Sequence, residues 1–303
     1  MGESRRIAAY GVCRDSRGAV LLARGSSTAD LPAVWQLPGG GIDHGEHPAD
    51  GVIREFGEET GLTVAVTGLR AVVSDVLWGR HTDRVIYDVA VRGGTLRAEP
   101  DGTTDLAEWI APAELTGLSL MPFTAELLGL PPTPVTTPPP AHFAVPPVEA
   151  RPTRGQRFAA YGVATDPAGR LLLTVIAEGY PGAGLWHLPG GGTDHGEQPV
   201  AALLRELAEE TNQVGRVTDL LDVTHLHRPR ALGPEGYPID WHTVRAIYRV
   251  HVDAPTEPRV TEAAGGSTAG VAWFAPAEVA ELPLTDVAAS AVSHVSAGLG
   301  NRG

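Results

Sequence analysis

Three glutamates stand at the same helical spacing in two places in this chain of 303 residues. Glu55, Glu58 and Glu59 occupy positions i, i+3 and i+4, which places them on one face of a helix. The second set has the same spacing: Glu206, Glu209 and Glu210. Three carboxylates on one face repel one another, and a single arginine at helical spacing, Arg54 or Arg205, offsets each set only in part. A hard divalent cation, Mg²⁺ or Mn²⁺, would relieve the repulsion, because such ions prefer carboxylate oxygens.

A glycine-rich loop precedes each acidic helix, with the sequence LPGGGIDHGE in one place and LPGGGTDHGE in the other. Glycine lets the backbone approach a ligand closely, and amides near a helix N-terminus bind phosphate oxygens. Joined at a fixed distance to a carboxylate face, the loop predicts a site for a metal-bound di- or polyphosphate. The predicted phosphate-binding glycines are Gly39, Gly40, Gly41, Gly190, Gly191 and Gly192. The loop histidines, His44 and His195, either contact that phosphate or cap local backbone, and their sequence context favours neither.

Each acidic helix also needs a buried face. The first is predicted to begin at Pro48, a favoured first position, and to end at Gly61, which can take the left-handed capping conformation. The expected core stripes are Ala49, Val52, Ile53 and Phe56 in the first helix and Val200, Leu203, Leu204 and Leu207 in the second. Strand-like runs flank the helix in both copies, so the pattern favours an α+β fold with a mixed β-sheet.

An internal repeat divides the chain into two domains. Between positions 35 and 60, 16 of 26 residues are identical to those 151 positions later. The copies are separated by a stretch with nine prolines, a composition that forms no core and favours extended backbone. We therefore predict a first domain at 1–128, a proline-rich linker at 129–152 and a second domain at 153–303.

Both copies resemble the Nudix box, G-x5-E-x7-R-E-U-x-E-E-x-G-U, in which U is a bulky apolar residue. The first copy, at 40–62, matches every fixed position: Gly40, Glu46, Arg54, Glu55, Phe56, Glu58, Glu59, Gly61 and Leu62. The second, at 191–213, departs at its last two positions, where Asn212 replaces glycine and Gln213 replaces an apolar residue. Asparagine is the next best residue for left-handed backbone, so we expect the cap to survive and Gln213 to weaken a packing contact.

The resemblance implies two tandem Nudix folds, each with a mixed β-sheet in an α/β/α sandwich. It implies an enzyme that hydrolyses a phosphoanhydride bond in a nucleoside diphosphate linked to another moiety, dependent on Mg²⁺ or Mn²⁺. By position, the implied metal ligands are Glu46, Glu55, Glu58, Glu59, Glu197, Glu206, Glu209 and Glu210. Arg54 and Arg205 would orient the neighbouring glutamates and complete the catalytic set. Water would attack a metal-bound phosphate, and a box glutamate or a downstream carboxylate would take its proton.

Family members often use one more acid, and the two copies differ there. The candidates are Glu99, Asp101, Asp105 and Glu108 in the first copy and Glu262 in the second. This difference favours the first copy as the better catalyst. The alternative to two active sites is that domain 1 alone is catalytic and domain 2 binds a nucleotide or serves assembly.

The second copy carries about ten extra residues, and its segment 228–241 is the best candidate for a different substrate specificity. Just before that segment, His225 and His227 alternate along a strand and share one face. Two histidines without a third ligand more often line a pocket or face water than bind a metal. With Arg228 and Arg230 they form a basic patch that would suit a phosphate or another acidic group.

Composition excludes several other functions. The formal net charge is −13, so we expect neither nucleic acid nor an anionic membrane as a partner. An acidic protein can still bind an anionic substrate through a divalent cation, and the resemblance implies that this substrate is a small nucleotide or nucleotide derivative. Cys13 is the one cysteine, which excludes an intrachain disulfide and predicts a packed thiol in a strand. Without a signal peptide or a run of about 18 apolar residues, a cytoplasmic location is expected.

Two other functions fit the resemblance less well. A nucleotide-sensing regulator should carry a DNA-binding helix pair and lose box glutamates, yet the two copies fill the chain and keep theirs. Isopentenyl diphosphate isomerisation uses an active-site cysteine in similar enzymes, and Cys13 lies far from the box. Two linked copies also have the means to pair as an intramolecular pseudo-dimer or to form a homodimer.

Overall fold

The structure, a computed structural model, describes residues 4–99, 102–141, 143, 153–232, 237–261 and 266–299, with side chains up to 293. The chain forms two compact units. The first comprises Met1–Gln156 and His225–His242, and the second comprises Arg157–Thr224 and Thr243–Gly303. The sequence repeat assigns the segment 228–241 to the second copy, but its described residues, 228–232 and 237–241, belong to the first unit. In the described part of the chain, no helix is long and apolar enough to cross a membrane.

The first repeat folds into two sheets with helices. Its elements are β1 (Ser4–Val12), β2 (Val20–Gly25), β3 (Trp35–Gln36), β4 (Gly39–Gly41), α1 (Pro48–Thr60), β5 (Leu62–Leu77), β6 (Arg80–Gly94), β7 (Thr104–Ile110) and α2 (Pro122–Leu127). One sheet has the order β4-β1-β6-β5 and the other β3-β2-β7. Strands β1 and β6 run parallel, whereas β4 and β5 pair antiparallel with their neighbours. The predicted mixed sheet and α+β class are thus confirmed.

The helices α1 and α2 lie on opposite faces of β1. Successive side chains of a strand point to opposite faces, so Tyr10 and Gly11 face different helices. The ring centroid of Tyr10 lies 4.8 Å from that of Phe123 on α2. A Cβ atom at Gly11 would come within 2.9 Å of Phe56 on α1. The four-stranded sheet that contains β1 therefore lies between two helices, as the expected sandwich requires.

Helix α1 begins and ends where the sequence predicts. Pro48 is its first residue, and Gly61 closes it in the left-handed conformation with φ of 71°. Val52 and Phe56 are fully buried, but Ile53 is 37% exposed, so its predicted place in the core stripe is wrong. Consecutive residues turn by about 100° around a helix, and this step carries Ile53 past the edge of the buried face.

The second repeat has the same order of elements up to its last strand, which is followed by two α-helices instead of one. Its elements are β8 (Arg154–Thr165), β9 (Leu171–Ile176), β10 (Trp186–His187), β11 (Gly190–Gly192), α3 (Pro199–Thr211), β12 (Arg216–Leu232), β13 (Pro238–His251), β14 (Thr268–Phe274), α4 (Pro276–Val279) and α5 (Asp286–Leu299). The strand order is β10-β9-β8-β13-β12, with β11 paired to β8 and β14 paired to β9.

Helix α3 also ends in a left-handed residue, but its capping residue and the residue after it differ from those of α1. Asn212 takes the left-handed conformation with φ of 57°, so the expected cap survives. Gln213 is 1% exposed. Its side chain donates to the Thr256 carbonyl at 3.2 Å and accepts from the Thr256 amide at 2.9 Å. Where the box has an apolar contact, the second repeat therefore has a buried hydrogen-bonded clamp.

The core includes Trp35 and the one cysteine of the chain. Trp35 is 8% exposed and belongs to a buried cluster with Leu37 and Phe123, beside the glycine loop. Cys13 is 1% exposed, and burial raises the pKa of its thiol. The thiol is therefore packed and protonated, as predicted.

Candidate active site

Arg54 on α1 is the centre of a carboxylate cluster. Its guanidinium donates to Glu46 at 2.9 and 3.0 Å, to Glu55 at 2.9 Å and to Glu58 at 3.3 Å. It also donates to the carbonyl oxygen of Gly41 at 3.1 Å, which ties the glycine loop to the helix. The hydrogen bonds from Arg54 lower the pKa of Glu46 against the opposing effect of burial, so that carboxylate is charged. One arginine thus brings together three of the four predicted glutamates.

Arg205 on α3 repeats this arrangement in the second unit. It donates to Glu197 at 3.0 Å, to Glu206 at 2.9 Å and to Glu209 at 3.2 Å. Its hydrogen bond to the Gly192 carbonyl oxygen is 3.4 Å long. The changes at the end of the second box therefore leave its acidic cluster intact.

The fourth glutamate of the first box is buried and holds the glycine loop. Glu59 is 4% exposed, and its carboxylate accepts from the Gly39 amide at 2.8 Å and from the Thr104 hydroxyl at 2.9 Å. Burial raises the pKa of Glu59 to about 8, although the two hydrogen bonds oppose the shift. A nearby cation would lower that pKa again, because it favours the ionised form.

Glu210 does the same in the second unit. It is 3% exposed and accepts from the Gly190 amide at 2.9 Å and from the Thr268 hydroxyl. Thr104 and Thr268 lie outside both box motifs. The two threonines stand 164 positions apart, the same offset that relates the surrounding segments of the two repeats, and this identity is the signal that identifies them.

Close packing requires glycine at position 39 of the loop and leaves little room at position 40. Gly39 has φ of 138°, and a Cβ atom there would lie 2.2 Å from the carbonyl oxygen of Ala9. A Cβ atom on Gly40 would lie 2.5 Å from Oε2 of Glu55. The strand on one side and the carboxylate on the other therefore already restrict these residues, before any ligand is considered.

A cavity of about 250 Å³ opens beside the glycine loop of the first unit. Glu55 and Glu59 form part of its wall, together with the arginines Arg6, Arg80 and Arg84. The apolar and aromatic lining residues are Tyr10, Leu31, Val34, Leu77, Met121 and Phe143. A concave site with charged groups of both signs and an apolar wall suits a ligand that carries phosphates and an apolar or aromatic part.

A sequence profile of the NUDIX domain matches the chain twice, over residues 4–128 and 155–295. The two segments together cover well over half of the chain. The chain belongs to the NUDIX family. Both boxes and both arginine-centred clusters lie inside the matched segments.

Individual relatives match shorter stretches. The chain is similar to Nudix hydrolase 26, chloroplastic, of Arabidopsis thaliana, with 54% identity over 37 residues, 12% of this chain and 17% of that protein. It is similar to the MutT-like protein of Streptomyces ambofaciens, with 32% identity over 83 residues, 27% of this chain and 51% of that protein. It therefore spans about half or less of these two relatives. Among solved structures, the MutT protein from Methanosarcina mazei Go1 is 22% identical, covers 42% of this chain and 92% of its own, and gives a TM-score of 0.38.

The NUDIX box does not reveal the cavity arginines. Arg84 is 4% exposed and pairs with Asp75 at 2.7 Å. Arg6 and Arg84 have counterparts in the second repeat, Arg157 and Arg245, at the repeat offsets of their segments. Identity between the two NUDIX repeats outside the box is the sequence signal that points to this pair.

The additional acids proposed for the first NUDIX repeat have different surroundings in the structure. Glu99 accepts from the Thr104 amide at 3.2 Å, and the Thr104 hydroxyl donates to Glu59 at 2.9 Å, so Thr104 links these two carboxyl groups. Asp105 pairs instead with Arg24 at 2.8 Å, and Glu108 is exposed. Two candidates lie outside the described residues: Asp101 and Glu262.

The second NUDIX repeat differs beside its glycine loop. Gln36 and Met121 line the first cavity, and their counterparts are His187 and Thr285. Nδ1 of His187 lies 2.6 Å from the Thr285 hydroxyl. Burial lowers the pKa of His187 to about 4, with a smaller contribution from the charge of Arg245, so the ring is neutral.

Proposed function

We propose that this chain is a hydrolase that cleaves a phosphoanhydride bond in a nucleoside diphosphate linked to another moiety. The class comprises nucleoside triphosphates, nucleotide sugars and dinucleotides. One observation carries the proposal: a single cavity of the first unit combines the carboxylates of α1, the glycine loop and three arginines. Membership of the NUDIX family supports the same reaction class.

The proposed cofactor is Mg²⁺ or Mn²⁺, and the residues present fit such an ion. The candidate ligands are carboxylates, the donors that hard divalent cations prefer. An ion can reach two of them, because Glu55 and Glu59 line the cavity beside the glycine loop. The proposed ligands are Glu46, Glu55, Glu58 and Glu59 in the first repeat and Glu197, Glu206, Glu209 and Glu210 in the second. When bound, the ion would neutralise phosphate charge and lower the pKa of a water molecule.

The chain's own residues would do the remaining work. Arg54 would hold the carboxylates in place through its four hydrogen-bonding partners. Burial raises the pKa of Glu55 against the opposing effect of Arg54, which suits it to accept the proton of the attacking water. Arg6 and Arg84 would bind phosphate oxygens as charge-assisted donors. The apolar wall would hold the nucleoside and limit the access of water.

We propose the same role for the second cluster, in a chain with domains at 1–128 and 153–303 joined by the linker at 129–152. The distances around Arg205 support a second metal site. In the alternative, domain 1 alone is catalytic and domain 2 binds a nucleotide or serves assembly. The observation that bears on this alternative is the contact between His187 and Thr285, which alters the wall beside the loop while leaving the carboxylates in place.

A release assay on the full chain tests the proposal. Phosphate and pyrophosphate would be measured from nucleoside triphosphates, nucleotide sugars and dinucleoside polyphosphates, with Mg²⁺, with Mn²⁺ and with a chelator. We expect metal-dependent release by the wild-type chain. The matched control is the double variant Glu58→Gln and Glu209→Gln, which keeps both side-chain shapes and removes two charges. Release that persists in this variant, or no release from the whole panel, would overturn the proposal.

A further inference from the structure

Five of the chain's 11 histidines lie together in the first compact unit. His44 and His47 belong to the loop that precedes α1, and His225, His227 and His242 lie on β12 and β13. Neighbouring rings in this group have centroids 5.0 to 6.1 Å apart. Because β12 and β13 belong to the second repeat, no motif of either repeat predicts this group.

Within the group, three ligand atoms converge. Nε2 of His227 lies 2.7 Å from Oδ1 of Asp240, and Nε2 of His44 lies 3.2 Å from the same oxygen. All three atoms lie within 4.8 Å of one another. The strand and the loop are packed closely here, since a Cβ atom on Gly45 would lie 2.6 Å from Nδ1 of His227.

His242 adds a second, independent observation at the same place. It is fully buried, with a relative exposure of 0%, and among the residues that the structure describes its Nε2 atom has no hydrogen-bond partner. Its ring centroid lies 5.5 Å from that of His44 and 6.1 Å from that of His227. A buried imidazole nitrogen without a partner is costly, and ligand binding is one reason for such a group to be kept.

The chemistry of the three donors differs from that of the box. Two imidazole nitrogens and one carboxylate oxygen form a set typical of Zn²⁺, whereas Mg²⁺ prefers oxygen donors alone. Donors about 2.0–2.1 Å from a tetrahedral Zn²⁺ lie roughly 3.3 Å from one another. Oδ1 of Asp240 lies at about this spacing from His44, at 3.2 Å, but only 2.7 Å from His227. The His227 ring would therefore have to move away by roughly 0.6 Å to admit the ion.

We propose that His44, His227 and Asp240 form a transition-metal site, best suited to Zn²⁺ and separate from the carboxylate sites. The ion would join the hairpin of β12 and β13 to the glycine loop of the first repeat. That loop is directly coupled to the box, because the Asp43 amide donates to Glu46 at 2.8 Å and Glu46 accepts from Arg54. Zinc at this site would therefore fix the loop position of Glu46.

Equilibrium dialysis of the untagged full chain against Zn²⁺, in a large excess of Mg²⁺, tests the site. The excess Mg²⁺ occupies carboxylate sites but competes poorly for imidazole. We expect one tightly bound Zn²⁺ per chain. Each of the variants His44→Asn, His227→Asn and Asp240→Asn should raise the Kd for Zn²⁺ by at least about tenfold, since losing a supporting partner of a metal ligand alone costs that much.

The matched control is His195→Asn, which changes the identical loop motif of the second repeat and should leave Zn²⁺ binding unchanged. Binding of Co²⁺, followed by its visible absorption, reports the ligand set directly, and the wild-type spectrum should be that of tetrahedral nitrogen and oxygen ligands. Circular dichroism without metal identifies any variant that fails to fold. The proposal would be overturned if folded variants bound Zn²⁺ as tightly as the wild-type chain does. It would also be overturned if added Mg²⁺ released all of the bound Zn²⁺.

Discussion

The two carboxylate clusters of this chain agree closely, while the side chains beside them do not. Hydrogen bonds from Arg54 and Arg205 to the equivalent glutamates differ by no more than 0.1 Å. Next to the glycine loop, the first repeat has a glutamine and a methionine on a cavity wall, at Gln36 and Met121. The second repeat has a histidine and a threonine in contact with each other.

The difference shows that residues of the arginine network and residues of the cavity wall are constrained differently. An arginine that must reach three carboxylates and a loop carbonyl tolerates little change, because each hydrogen bond fixes the position of the others. A wall residue that meets the rest of the substrate can change without disturbing that network. We therefore expect two sites that share a reaction and differ in the substrate they prefer.

The largest expected effect comes from removing one carboxylate at a time. Glu58→Gln should lower the turnover of the first site by about 10²–10³-fold, because the loss of a metal-ligand charge costs several kcal/mol in the transition state. Glu209→Gln should do the same at the second site. Initial rates on each substrate of the panel measure both effects.

The pattern across substrates decides between the two readings of the second repeat. If each single variant loses its own set of substrates, both sites are catalytic. If Glu58→Gln removes all turnover and Glu209→Gln removes none, domain 1 alone is catalytic. Circular dichroism of both variants would show that neither loss comes from unfolding.

The next largest effect concerns stability in acid, where His187 of the second repeat should behave differently from the glutamine at the same place in the first repeat. The pKa of His187 is lowered to about 4, whereas the ordinary value for histidine is about 6.5. Between these values the unfolded chain binds the proton and the folded chain does not, so the folded state loses stability as pH falls from 6.5 to 4. His187→Gln, which installs the residue of the first repeat, should remove a loss of about 3 kcal/mol at pH 4 and none at pH 7.

Urea unfolding of wild type and His187→Gln at pH 7 and near pH 4 measures that difference. The buried His242, whose pKa burial lowers to about 4, titrates over the same range in the first unit. It is present in both proteins and cancels in the comparison. Equal pH dependence of the two proteins would show that His187 is not held neutral by burial.

Replacing each arginine by lysine probes the agreement of the two clusters. Arg54→Lys and Arg205→Lys keep the charge but lose the planar fork that reaches several carboxylates at once. Each should lower kcat/KM of its own site by about 10–100-fold at saturating Mg²⁺. Because the hydrogen-bond distances are so similar, the two losses should agree within about threefold. A loss at one site alone would show that the two clusters are not equivalent in function.

Local features of this molecule could be predicted from its sequence, because a few neighbouring residues determine them. Pro48 and Gly61 set the ends of α1, and the glutamate spacing places three carboxylates on one helix. Contacts between distant segments could not be predicted this way. The bond from Thr104 to Glu59 depends on how β7 packs, and the meeting of His44 with Asp240 depends on where the extra residues of the second repeat lie.

The smallest expected effects come from restoring the family residues at the end of the second box. Gln213→Leu should destabilise the chain by about 1 kcal/mol, because it removes the hydrogen bonds from the buried Gln213 side chain to the Thr256 amide and carbonyl. Asn212→Gly should change stability by less than about 1 kcal/mol, since glycine fits the left-handed backbone but is more flexible when unfolded. Thermal or urea unfolding of the two single variants measures the contrast. A more stable Gln213→Leu variant would mean that the apolar contact stabilises the chain more than the Gln213 hydrogen bonds do. The change at this end of the second box would then bring no gain in stability. A less stable one would mean that this end of the box has acquired a different way to hold the helix.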